Sequence, residues 1–139
     1  MKYWHAMLRI SNVEDSLRFF CEGLGLVETR RQEVEAGRYT NIFVNTPGDT
    51  SAQIELTYNW DPQDYPGGRN FGHLAFWVDD VYAICQHLTE MGYTINRPPR
   101  DGYMAFVRSP DGISIELLQR GERLAPQEPW ASQPNTGSW

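Results

Sequence analysis

Apolar positions in this chain change their period in the same order twice. From His5, HAMLRI offers an apolar stretch of strand length, and Val13, Leu17, Phe20 and Leu24 then recur at helical spacing. From His73, HLAFWV does the same, followed by Val81, Ile84, Cys85 and Leu88. Asn12 or Ser11 can cap the first predicted helix and Asp79 or Asp80 the second, while Gly23 or Gly25 and then Gly92 can end them. Three strand-like pieces follow each helix, at roughly 26–33, 38–45 and 52–58, then roughly 93–97, 103–108 and 113–119. Strong turn signals, TPGD at 46–49 and SPDG at 109–112, separate the last two pieces of each set. Each half therefore reads β-α-β-β-β, and the chain is an internal repeat of the α+β class. The expected organisation is one domain over 1–120, made of modules at about 1–58 and 71–120 joined by a Pro- and Gly-rich linker at 59–70. Residues 121–139 read as an irregular tail, and Trp130 and Trp139 suggest that it docks.

Strand alternation then sorts the polar residues. Tyr3, His5, Met7 and Arg9 share one face of their strand, and Gln53, Glu55 and Thr57 share one face of theirs. In the second half Phe71, His73, Ala75 and Trp77 align, as do Ser114, Glu116 and Leu118. Both glutamates sit inside the same tripeptide, Ile-Glu-Leu, in matching apolar strands. A carboxylate there is expensive unless it is paired or bound to a cation. If first and last strands of each half are neighbours, each half presents one imidazole and one carboxylate on one face. Two such halves facing each other would assemble two His and two Glu, a donor set for Ni²⁺, Co²⁺, Zn²⁺ or Fe²⁺. An octahedral shell would keep two positions for water or substrate. Taken singly, a strand histidine is more often a satisfied core residue and a strand glutamate an edge residue. The matched placement of all four carries the metal reading. His87 has no counterpart and is left out of it.

Composition narrows the classes. The length of 139 residues, with 40% hydrophobic and 13% aromatic residues, suits one compact domain with a core of its own. A net charge of −6 argues against a nucleic-acid backbone binder. No apolar run approaches a membrane span and no signal-peptide pattern opens the chain, so a cytoplasmic protein is expected. The two cysteines, Cys21 and Cys85, are expected to be reduced thiols. Lys2 is the only lysine, so all other basic side chains are arginines, the better bidentate partners of carboxylates.

The stretches HAMLRISNVEDSLRFF, IELTYNW, FGHLAFWVDDVYAIC and SPDGISIELLQ resemble bacterial glyoxalase I (lactoylglutathione lyase), of the vicinal-oxygen-chelate superfamily. The resemblance runs from about residue 3 to residue 120, and IELTYNW is its most specific part. It implies tandem βαβββ modules paired across a homodimer, with each metal site taking His5 and Glu55 from one subunit and His73 and Glu116 from the other. It implies Ni²⁺ or Co²⁺ as the metal, with Zn²⁺ also possible, and glutathione as cosubstrate. The implied reaction isomerises the methylglyoxal–glutathione hemithioacetal to S-D-lactoylglutathione. Glu116 is the first choice for the base, and Glu55 for the other hemithioacetal stereoisomer.

The resemblance also assigns thiol-binding roles to Arg9, Asn59 and Arg69. The family's longer Gly- and Lys-containing loop is replaced here by TINRPPRDGYMAF at 94–106, where Arg97 or Arg100 could take over the glycyl carboxylate. Competing readings are another enzyme of the superfamily, either one with a different thiol, an epimerase or an extradiol dioxygenase, and a non-catalytic small-molecule-binding member. Four protein ligands leave little room for dioxygen chemistry, and none of the four is missing as a pure binding module would allow.

Overall fold

The computed structural model describes all residues from 1 to 139, as two compact units, Met1–Pro66 and Gly67–Trp139. The first contains β1 (His5–Ile10), α1 (Val13–Leu17), β2 (Val27–Val34), β3 (Tyr39–Asn45) and β4 (Gln53–Asn59). The second contains β5 (Leu74–Val78), α2 (Val81–Glu90), β6 (Ile95–Arg97), β7 (Met104–Arg108) and β8 (Ser114–Gln119). Each unit is thus a βαβββ module with one four-stranded sheet. The orders are β1-β4-β3-β2 and β5-β8-β7-β6. In both, the first strand runs parallel to the last, and the remaining neighbours are antiparallel. The helix is the crossover that lets the first strand lie beside the last in parallel.

Register sets the core. Leu8, Leu56 and Ile42 lie opposite one another across three strands, and all three are buried. In the second unit Ile115 and Leu117 on β8 face Val107 and Ala105 on β7, again all buried. Val81, Cys85 and Leu88 supply the buried stripe of α2, which packs on β6, β7 and β8. Asp80 caps this helix by accepting from the N–H groups of Tyr82 and Ala83. The first helix departs from the expected spacing. Asn12 caps it through the Asp15 N–H, but α1 gives way to a π-helical segment over Arg18–Gly23. The buried positions there are Ser16, Phe19, Phe20 and Gly23, while Val13, Leu17 and Leu24 are only half-buried. Two consecutive phenylalanines, Phe19 and Phe20, are buried in this wider turn.

Residues 122–139 form neither helix nor strand, yet they are docked on the second unit. Trp130 is 4% exposed. The Leu124 N–H donates to the Gly102 carbonyl and the Tyr82 hydroxyl to that of Ala125. Asn96 and Thr136 exchange two bonds, and Arg100 holds the Gln133 carbonyl and the Asn135 side chain. Gly102 makes this crossing possible. Its φ is +65°, and a Cβ there would stand 2.0 Å from the Leu124 carbonyl oxygen. Both cysteines are free, and burial pushes the Cys85 thiol up to about 12. No helix is long and apolar enough to cross a membrane.

Two predictions concern this docking. Gly102→Ala should cost about 1–3 kcal/mol in denaturant unfolding and expose residues 122–139 to proteolysis; a protein as stable and as resistant as the parent would show that the crossing is not tight. Asp101, which organises the same turn, is held below the ordinary aspartate range. Burial alone would raise it, but the N–H groups of Met104 and Tyr103 and the Arg97 guanidinium together outweigh that. Its carboxylate therefore stabilises the fold above the ordinary aspartate range and loses that contribution as pH falls through its lowered one. The stability gap between the parent and Asp101→Asn should shrink in acid; a gap that widens there contradicts the assignment.

Candidate metal centre

Each module builds one half-site from its first and last strands. Met7 on β1 lies opposite Glu55 on β4, so His5, two residues earlier, shares the face of that carboxylate. Ala75 on β5 lies opposite Glu116 on β8, and His73 stands at the same offset. The side chains close the gap. His5 Nε2 is 2.9 Å from Glu55 Oε2, and His73 Nε2 is 3.1 Å from Glu116 Oε2. The glutamate side chains are 12% and 15% exposed, the imidazoles 31% and 41%. In both pairs the carboxylate is thus less exposed than the ring, with Glu55 buried and Glu116 half-buried.

A third residue recurs in each half-site that the sequence reading overlooked. Phe43 on β3 lies opposite Glu55, and Phe106 on β7 lies opposite Glu116. Their rings stand edge-on to the histidines, at 6.0 Å for His5 and Phe43 and 5.4 Å for His73 and Phe106. An aromatic ring there fixes the imidazole plane while adding no competing donor. The signal was present as the repeated dipeptide Phe-Val, in IFVN and AFVR, one strand before each Ile-Glu-Leu.

The two half-sites differ in one respect. Glu55 Oε1 lies 3.4 Å from the Thr57 hydroxyl, which also reaches Asn41 Oδ1 at 3.1 Å. Leu118 occupies the position equivalent to Thr57, so Glu116 lacks that threonine partner.

The donor chemistry fits a borderline divalent ion. Two atoms each about 2.1 Å from one cation and at right angles about it stand about 3.0 Å apart, and the two pairs, at 2.9 and 3.1 Å, bracket that spacing. His5 Nδ1, the ring nitrogen turned away from Glu55, is buried without a hydrogen-bond partner. Within each unit the pair stands without a third His, Cys, Asp or Glu to complete a set.

The remaining expected residues fall into two groups. Arg9 is exposed on the face of β1 that carries His5, and Asn59, ending β4, accepts from the Tyr65 hydroxyl at 3.3 Å. Arg69 is exposed beside a cavity of about 530 Å³ in the second unit. Arg97 and Arg100, expected to serve the short loop, are engaged within the chain. Arg97 donates to the Met104 carbonyl and contacts Asp101, while Arg100 holds residues 133 and 135. Both guanidiniums satisfy the chain's own acceptors, because the shortened loop lies under the docked segment.

Residues 2–117 match the family described as the Glyoxalase/Bleomycin resistance protein/Dioxygenase superfamily. The chain belongs to that family. It is 40% identical over 126 residues to a lactoylglutathione lyase of Neisseria meningitidis serogroup A, covering 86% of this chain and 91% of the relative. It is 41% identical over 128 residues to a probable lactoylglutathione lyase of Vibrio parahaemolyticus, covering 87% and 92%. Among solved structures, the trypanothione-dependent glyoxalase I of Leishmania major superposes with a TM-score of 0.77 at 33% identity, covering 83% of this chain and 84% of that one. The tandem modules and the family assignment thus agree.

The Phe–His contact predicts a stability effect at the site. Phe43 is 3% exposed, and Phe43→Ala should cost roughly 3–5 kcal/mol in chemical denaturation. A loss below about 1 kcal/mol would mean that the ring does not pack as a core residue.

Proposed function

We propose that this protein is a metal-dependent lactoylglutathione lyase, which isomerises the methylglyoxal–glutathione hemithioacetal to S-D-lactoylglutathione. The observation that carries the reading is the repeated half-site: one imidazole and one largely water-excluded carboxylate, at nearly the same spacing, in each module. The lactoylglutathione lyases among its relatives, matched over most of their length, support the substrate class.

His5, Glu55, His73 and Glu116 are the residues that would hold the ion. In a homodimer, the first pair comes from one subunit and the second from its partner. Ni²⁺ or Co²⁺ is the preferred metal in this proposal. A bound divalent ion supplies Lewis acidity toward the two oxygens of the substrate. The chain's own work is proton transfer and orientation. Glu116 takes the proton from C1 of the hemithioacetal and returns it to C2. Glu55 is near the Thr57 hydroxyl, whereas Leu118 stands at the matching position beside Glu116, so Glu116 is the stronger candidate for the main base. Glu55 serves the other stereoisomer. Arg9 and Asn59 orient one end of the thiol cosubstrate, and Arg69 adds a charge near it. A cytoplasmic setting suits the two free cysteines.

The decisive experiment is reconstitution. Metal-free protein receives Ni²⁺, Co²⁺, Zn²⁺ or Fe²⁺ separately, and thioester formation from methylglyoxal and glutathione is followed. Activity with Ni²⁺ or Co²⁺ is expected; metal uptake without thioester in every case would refute the reaction. Glu116→Gln should lower kcat by about 10²–10⁴-fold with uptake of the ion still measurable by dialysis, and Glu55→Gln should fall less. The reverse ranking would exchange the two roles.

A further inference from the structure

The two half-sites are covered differently, and the difference assigns a role to the docked segment. In the first unit, Arg30 on β2 lies opposite Phe43, and its guanidinium sits 4.0 Å above that ring. In the second unit the matching position on β6 is Arg97, opposite Phe106 and at the same kind of strand irregularity. Yet β6 has 3 residues where β2 has 8, and Arg97 turns to Met104 and Asp101. The exposed side of Phe106 is covered by Trp139 instead, stacked at 5.9 Å with an interplanar angle of 29°. Phe106 in turn stands edge-on to His73, so His73, Phe106 and Trp139 form a continuous row of rings. Arg108 fixes the approach through the Ser138 carbonyl at 2.6 Å.

Trp139 lines the cavity of about 530 Å³ rather than filling it, and remains 38% exposed. Arg69, Phe71 and Ser114 line the same cavity. The Ser114 hydroxyl is buried without a partner in a residue only 6% exposed, and such an orphan asks for a ligand acceptor or donor. A guanidinium, an orphan hydroxyl and an indole suit a carboxylate- and amide-bearing chain. Of the two reactants, only the peptidic thiol carries such groups; methylglyoxal does not. We propose that Trp139, delivered by residues 122–139, is a specificity-determining wall of this cavity that contacts the thiol-derived part of the substrate. This deepens the lyase reading and rests on it for the identity of the thiol.

Two measurements test it. Steady-state kinetics with the methylglyoxal–glutathione hemithioacetal should show KM for Trp139→Ala raised about 3–10-fold, with kcat changed by less than about 2-fold. Calorimetric titration with S-methylglutathione, an inert thioether, should show affinity weakened by a similar factor. Trp139→Phe should restore most of both. Unchanged KM and affinity, or a fall in kcat alone, overturns the proposal. So does tighter binding by Trp139→Ala, which would make the segment a blocking lid. If no metal supports thioester formation while S-methylglutathione binds and loses affinity in Trp139→Ala, the reaction is wrong and the wall stands.

Discussion

The structure turns on two carboxylates held in the middle of sheets. Glu55 and Glu116 each sit between a neighbouring strand on either side, with most of the side chain out of water. An ionised carboxylate in that setting is tolerable only with a partner of positive or donating character. Each has one imidazole within 3.1 Å, supplied by the strand that runs parallel to it. The parallel pairing is what puts the two groups side by side, and the crossover helix is what makes that pairing possible. Register, helix and core therefore all converge on holding one His–Glu pair per module.

The repeat is not kept in full, and its departures are informative. The Phe that orients each histidine is retained in both modules, as is the irregularity in the strand beyond it. The outermost strand is not: β6 is short, and a loop with two prolines stands where β2 continues. Residues 122–139 take over the exposed side of that module, through backbone bonds, a buried tryptophan and two arginines. A strand and an irregular segment here solve the same covering problem by different means.

Much of this was legible in the chain. The period changes located every strand to within about two residues, and the alternation rule placed His5 with Glu55 and His73 with Glu116 before any contact was known. Three things were not legible. The π-helical stretch at Arg18–Gly23 has no signature in the hydrophobic period, which reads the same for an α-helix. Phe43 and Phe106 looked like ordinary strand residues, because an apolar side chain carries no sign of facing an imidazole rather than a core. Arg97 and Arg100 looked available because sequence shows donors but not the carbonyls that come to meet them from residues far along the chain.

Pairing the first strand of a module with its last has a consequence for the order of assembly. β2 and β3 can meet as a local hairpin, whereas β1 must wait until some fifty residues more have been made before β4 exists to receive it. Such non-local closure is the slow step of a fold, and it comes last on a growing chain. His5 and His73 consequently acquire their carboxylates only when the whole module around each is complete. A half-formed module presents an imidazole alone, so under the proposed function strong capture of a metal ion would coincide with the end of folding rather than precede it.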